Sequence, residues 1–246
     1  MEKKMLPRKY IVLLTMALAC LISWGTASAV VMWNVPSGST SNFDYDGGLT
    51  FNGLFVGAGQ SPTVSPTGLV FFPQNFIASA QNGSAETTDD TLEFALHIKP
   101  GKALTQFIVH EFGDYTILGA GPNTAVKAFG GLFLTNLDDG NALPLSDTLI
   151  TVPAGLGGVT GVTSGQGAWS GSETIINIPQ GWTNIQVILN NELQAGSDPG
   201  TTSFIQKKVG QVGLEIILVI PEPGTLSLCL IGGAMLVGRR SRRMAA

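Results

Sequence analysis

Between Val30 and Ile220 the sequence contains no cysteine and no arginine. The two cysteines, Cys20 and Cys229, lie outside that stretch, so disulfides and thiolate metal sites are excluded from it, and its stability must come from a packed core. Its cations are five lysines (Lys99, Lys102, Lys127, Lys207 and Lys208) against fifteen acids, a net charge of −10, whereas the whole sequence carries −4. A strongly acidic segment without arginine has no electrostatic footprint for phosphates, which excludes nucleic acid as a partner.

The catalytic signatures are missing as well. There are only two histidines, His97 and His110. "HEFGD" begins as a zincin helix would, but Asp114 stands where H-E-x-x-H needs its second histidine. "GAWSG" has the wrong spacing for the G-x-S-x-G serine elbow. No motif marks a pair of carboxylates for glycoside hydrolysis. The expectation is a protein that is not an enzyme.

What is present begins with an export signal. Lys3, Lys4, Arg8 and Lys9 form a cationic start, Ile11–Trp24 is uncharged, and "GTASAV" supplies small residues at Ala27 and Ala29. This is the pattern of a secretory signal peptide over residues 1–29, cut after Ala29, which implies Sec export and a signal peptidase. The apolar run is shorter than the ~20 residues of a membrane-spanning helix, against an uncleaved anchor. Lipidation of Cys20 is the less favoured reading, because the apolar run continues past it and Ala17 stands where a lipoprotein signal has leucine.

The remaining domain, residues 30–220, is rich in Gly, Ser, Thr and Asn, and its apolar residues alternate. "TLEFALHI" sets Leu92, Phe94, Leu96 and Ile98 on one face and Glu93, Ala95 and His97 on the other, the period of a half-buried strand. "SETIINI", "NIQVILN" and "VGLEIILVI" have the same character, and "KPGK", "GAGPNT", "DDGNALP", "IPQGW" and "GSDPGTT" punctuate them as turns. Short strands with closely spaced turn signals and no fixed repeat predict an all-β domain. A jelly-roll-like β-sandwich is the first choice and an immunoglobulin-like sandwich the second.

Three clusters in this domain carry chemical interest. "NFDYDGG" places Asn42, Asp44, Asp46 and Gly47 as in the first half of a calcium loop, but Gly53 occupies the twelfth position where an EF-hand needs glutamate, so a side-chain-stabilised turn is expected. Glu86, Asp89, Asp90 and Glu93 in "ETTDDTLE" are expected to form a solvated acidic loop ahead of a strand, and a structural calcium ion on Asp89–Asp90 is the second reading. No other cofactor is expected. Trp33, Trp169 and Trp182 are expected to plug the sandwich core, and the competing reading makes them stacking platforms for sugars.

After the strand-like "LEIILV" come Pro221, Glu222 and Pro223, then an apolar stretch over about 224–238, then Arg239, Arg240, Arg242 and Arg243. Proline keeps the flanking residues extended and suits the first turn of a helix. The apolar Thr225–Gly238 segment reaches about 21 Å as a helix at ~1.5 Å per residue. That is short for a ~30 Å hydrocarbon core unless arginines snorkel. By the positive-inside preference those arginines stay cytoplasmic and the domain lies across the membrane. These three ordered elements, residues 221–246, resemble the PEP-CTERM sorting signals of bacteria, with Pro221, Glu222 and Pro223 as the motif. The resemblance implies recognition by an exosortase, a membrane-embedded cysteine transpeptidase, and a transient stay in the inner membrane. Removal of the tail and delivery to the cell surface or extracellular matrix of a Gram-negative-type bacterium would follow. The stretches "SAETTDDTLEFALHIKPG" with "HEFGDYTILG", and "NNELQAGSDPGTTSFIQKKVG", resemble exported domains that share this tail and bring no established activity. The functional expectation is an exported, non-catalytic surface or matrix protein. The alternative is a carbohydrate-binding module attached to exopolysaccharide.

Overall fold

The computed structural model describes residues 30–57, 59–142, 146–148, 165–176 and 178–221. None of these residues is helical. They form fourteen strands: β1 (Val31–Met32), β2 (Gly38–Ser39), β3 (Phe43–Thr50), β4 (Thr63–Ser65), β5 (Gly68–Phe71), β6 (Ile77–Gln81), β7 (Ala85–Ile98), β8 (Gln106–Leu118), β9 (Ala125–Asn136), β10 (Ser146–Thr148), β11 (Gly165–Ile176), β12 (Asn184–Gly196), β13 (Thr202–Lys207) and β14 (Leu214–Val219).

The strands make two seven-stranded antiparallel sheets, an arrangement that fits a β-sandwich. The first runs β1-β3-β7-β12-β9-β10, with β2 also on β3. The second runs β4-β5-β14-β8-β13-β6, with β11 on the opposite edge of β8. Along β8, β14 pairs with Gln106–Glu111 and β13 with Gly113–Leu118, so two short strands share one edge end to end. The handover falls at Phe112, whose N–H donates to Gly213 O at 3.0 Å and whose carbonyl accepts from Lys208 N at 3.0 Å.

Alternation in the sequence becomes burial in the structure. Leu92, Phe94, Leu96 and Ile98 on β7 are all buried facing the second sheet, as their spacing predicts. Trp33 joins the layers: its ring lies 6.0 Å from Tyr45 and 5.6 Å from Phe94 in the first sheet, and 5.5 Å from Phe71 in the second. Each large apolar side chain taken from water in this way contributes about 1.5–3 kcal/mol.

Two expected loops are strands instead. "NFDYDGG" forms most of β3, whose register against β7 shifts between Asp46 and Leu49, with Gly47 at φ 64°. The extra residues of a bulge, not a reversal of the chain, satisfy the Gly-Gly pair. "ETTDDTLE" lies within β7, because β12 supplies a partner for every residue from Ala85 to His97. Long-range pairing overrides the local acidic composition there.

Candidate functional site

The outward face of the first sheet gathers most of the polar residues of chemical interest. Rows of cross-strand neighbours cross it: Asp89–Glu192–Phe129, then Thr91–Asn190–Gly131, then Glu93–Ile188–Phe133, and at one end Asp44–His97–Asn184. Asp89, Thr91, Phe129, Gly130, Gly131, Phe133, Asn190 and Glu192 line an open cleft of about 570 Å³. Gly131 has no side chain to fill its floor, and a Cβ added there would come 3.3 Å from the ring of Phe133. The cleft is therefore walled by two half-buried phenylalanines, with amide, hydroxyl and carboxylate groups between and beside them.

Asp89 and Glu192 face each other directly across β7 and β12. Like charges in that relation repel. Although Asp89 is exposed, partial desolvation beside the cleft, with Glu192 and Asp90 adding to it, raises its pKa above the ordinary 3.8. Glu192 accepts from Gln194 Nε2, and Glu93 accepts from Gln186 Nε2 at 2.6 Å.

Asp90 points the other way, into the interior. Its carboxylate accepts the backbone N–H groups of Asn52 at 2.8 Å, Leu54 at 2.7 Å, Phe55 at 3.2 Å and Thr91 at 2.8 Å, and the hydroxyl of Thr50. It organises the 52–55 segment, which runs outside the strands and whose Asn52, Leu54 and Phe55 N–H groups it accepts, while Phe51 N–H donates to Thr91 O on β7 at 3.0 Å. Asp89 and Asp90 thus face opposite sides of one sheet and cannot converge on one ion. Among the described residues no group of three or more His, Cys, Asp or Glu is placed to hold a metal.

His97 sits between two oxygen acceptors. Nδ1 is 2.8 Å from Asn184 Oδ1 and Nε2 is 2.9 Å from Asp46 Oδ2. Asn184 is oriented by its own Nδ2, which donates to Asp138 at 2.7 Å. Both contacts suit a ring with two N–H groups, and the pKa rises above 6.5, chiefly through the bond to Asn184, with burial opposing and Asp46 reinforcing. The row ties β3, β7 and β12 to the turn after β9. His97 is half-buried, a surface position as its strand phase predicts. His110 lies apart on β8 with Nδ1 3.9 Å from Glu215.

Trp33, Trp169 and Trp182 are all buried, at 2 %, 2 % and 8 % exposure, and offer no free indole face to a sugar. The sequence reading missed the residues that do wall a cleft, Phe129 and Phe133. Their signal was the "FGGLF" spacing, in which both rings and Gly131 share one face of a strand. Of the residues expected to form a sorting motif, Pro221 follows β14 with only Ile220 between. Glu222, Pro223, Arg239, Arg240, Arg242 and Arg243, and Ala27 and Ala29 of the expected signal-peptide cleavage site, lie outside the described residues. No helix among the described residues is long and apolar enough to cross a membrane.

No protein-family model matches the chain, and no curated protein does. Among solved structures, the enzymatically active domain of tailspike protein 4 from bacteriophage CBA120 is similar at 11% identity and a TM-score of 0.23, over 68% of this chain and 23% of that one. The VP2 protein of infectious bursal disease virus is similar at 11% identity and a TM-score of 0.19, over 74% and 56%. A CocE/NonD family hydrolase from Staphylococcus aureus is similar at 7% identity and a TM-score of 0.21, over 62% and 39%. The chain thus spans between about a quarter and somewhat over half of these proteins. Likenesses this distant assign no activity.

Proposed function

We propose that this chain is an exported, non-catalytic surface or matrix protein, addressed by a PEP-CTERM signal over residues 221–246 that an exosortase reads. The observation that carries the proposal is the order of three elements, Pro221-Glu222-Pro223, an apolar stretch and an arginine cluster, beginning one residue after β14. The placement supports it physically. β14 has β5 on one side through Leu214–Ile217 and β8 on the other through Leu214–Val219, so this strand is paired on both sides before Pro221 is reached. We propose further that the sandwich is a jelly-roll, flanked by helices at the signal peptide and the tail. The jelly-roll is supported by a chain that passes from one sheet to the other between β7, β8 and β9.

In the native host, changing Pro221, Glu222 and Pro223 to Ala should leave full-length protein in the membrane. Truncation before Arg239 should release it unprocessed. Mature protein from the surface should lack Arg239–Arg243 by mass spectrometry. Recovery of the intact C-terminus from the surface would overturn the sorting role.

The cleft favours a second reading, a module that holds extracellular polysaccharide. Aromatic walls with amides and carboxylates between them suit a sugar, whose C–H faces stack and whose hydroxyls hydrogen-bond. Polysaccharide pull-down by the wild-type chain, lost in a Phe129→Ala/Phe133→Ala variant of unchanged melting temperature, would establish it. No retention of any neutral or acidic polysaccharide would exclude it.

A further inference from the structure

Lys207 is the last residue of β13, and its ammonium group lies inside the sandwich with no exposed surface. Its Nζ is 2.5 Å from Oε2 of Glu111 on β8, which is 2 % exposed. The rings of Phe55, Phe76 and Trp169 surround the nitrogen, with centroids 5.6, 5.3 and 5.5 Å away. The other carboxylate oxygen of Glu111, Oε1, is buried and has no hydrogen-bond partner. The pair occupies the place where β13 hands over to β14 along β8, the least continuous part of the second sheet.

Such a site is poor at holding two charges. Desolvating an ammonium and a carboxylate is costly, and here three rings replace water around the cation while one carboxylate oxygen is left unsatisfied. Burial lowers the Lys207 pKa, against the pull of Glu111. A desolvated lysine amine is a nucleophile, and a 2.5 Å contact with the carboxyl group holds it in reach of the carboxyl carbon.

We propose that Lys207 and Glu111 condense into an intramolecular amide that staples β13 to β8. A proton first passes from Nζ to Oε2 along the contact, giving neutral amine and neutral acid. The Nζ lone pair then attacks Cδ. The new N–C bond forms, the C–O bond to the protonated oxygen breaks, and that oxygen leaves with one amine proton as water. No oxidant, metal or cofactor is required. The product removes both buried charges and leaves one carbonyl and one N–H in their place. It joins positions 96 residues apart in a domain that has no cysteine to do so otherwise. This goes beyond the sorting and polysaccharide readings and depends on neither.

The test is peptide mapping of the full chain purified from its exporting host, unfolded before digestion. The expected result is a linked pair of peptides, one holding Glu111 and the other Lys207, lighter than their sum by one water. The amine of Lys207 should stay unlabelled by an acylating reagent in the unfolded chain, while the other lysines react. Lys207→Arg, which keeps the cation but cannot form this amide, should yield the two peptides unlinked. Because the reading is made on the unaltered protein, a variant that fails to fold does not affect it, and processing at either terminus does not shift it. Two separate peptides of full mass, with Lys207 labelled after unfolding, would overturn the proposal and leave an ion pair.

Discussion

Gly113 on β8 lies directly beneath the indole of Trp169 on β11: a Cβ added to the glycine would fall 2.2 Å from Cε2 and Nε1 of the ring, and 2.1 Å from the carbonyl of Gln206. The same indole N–H donates to that carbonyl at 3.0 Å. The missing side chain is what lets the ring lie flat across the sheet and close the chamber around Lys207. Gly113→Ala must displace either the indole or the β13 backbone, and overpacking of this kind costs about 1–3 kcal/mol. The expected outcome is a lower midpoint in urea. A variant as stable as wild type would show that Trp169 finds another seat at no cost.

Asp90 supports a segment that has few other anchors. Asp90→Asn preserves the volume but turns an all-acceptor group into one that presents an N–H₂ to N–H donors. Hydrogen bonds to a charged partner contribute about 1.5–3 kcal/mol each, so a loss on the order of 3 kcal/mol or more is expected. Proteolysis at 51–56 under native conditions should rise with it. Equal resistance in the two proteins would mean that the segment is held by Phe55 and Val56 in the core and not by the carboxylate.

Asp89 should work against stability. Its pKa is raised in the folded state, so between 3.8 and that raised value the native protein binds more protons than the unfolded chain, and stability falls as pH rises through this window. At neutral pH the full penalty is present. Asp89→Asn should therefore raise the melting temperature at pH 7, and the gain should shrink as pH falls through the window. A melting temperature unchanged at pH 7 would mean that Glu192 and partial desolvation exert no net pressure on this position.

His97 has the opposite sense. A raised pKa means that its charged form is favoured by folding, so the stabilisation is complete below the ordinary value of 6.5 and is lost as pH rises through the folded value. The melting temperature of wild type minus that of His97→Gln should be largest in mild acid and should decline above neutrality. A difference independent of pH would show that the Asn184 and Asp46 contacts hold the neutral ring equally well.

The fold was legible where one strand face is uniformly apolar. Leu92, Phe94, Leu96 and Ile98 announce both the strand and its buried side, and "NIQVILN" and "LEIILV" do the same for β12 and β14. The acidic beginning of β7 gave no such signal, because Glu86 and Asp89 are exposed and only the pairing with β12 makes them a strand. Asp90 was read as a member of an acidic surface group. Nothing in "TTDDTL" distinguishes the one carboxylate that turns inward to meet five donors from its neighbour that turns out. Lys207 and Glu111 were equally hidden: a lysine in "QKK" and a glutamate in "HEF" look like surface residues until β8 and β13 are paired. The cleft walls were readable in principle from "FGGLF", but the floor between them exists only because β12 brings Asn190 beside Gly131.

The position of β14 also sets how the domain bears tension. A pull applied at Pro221 runs first along this strand, which is clamped by β5 through Leu214–Ile217 and by β8 through Leu214–Val219. Backbone hydrogen bonds in an antiparallel ladder run perpendicular to the strands. Traction along the strand therefore loads both rows at once in shear instead of peeling them one after another. Had the last strand lain on an edge like β4 or β11, the same traction would have met a single row. A body tethered through Pro221 in flowing water would be held by a strand gripped on both sides.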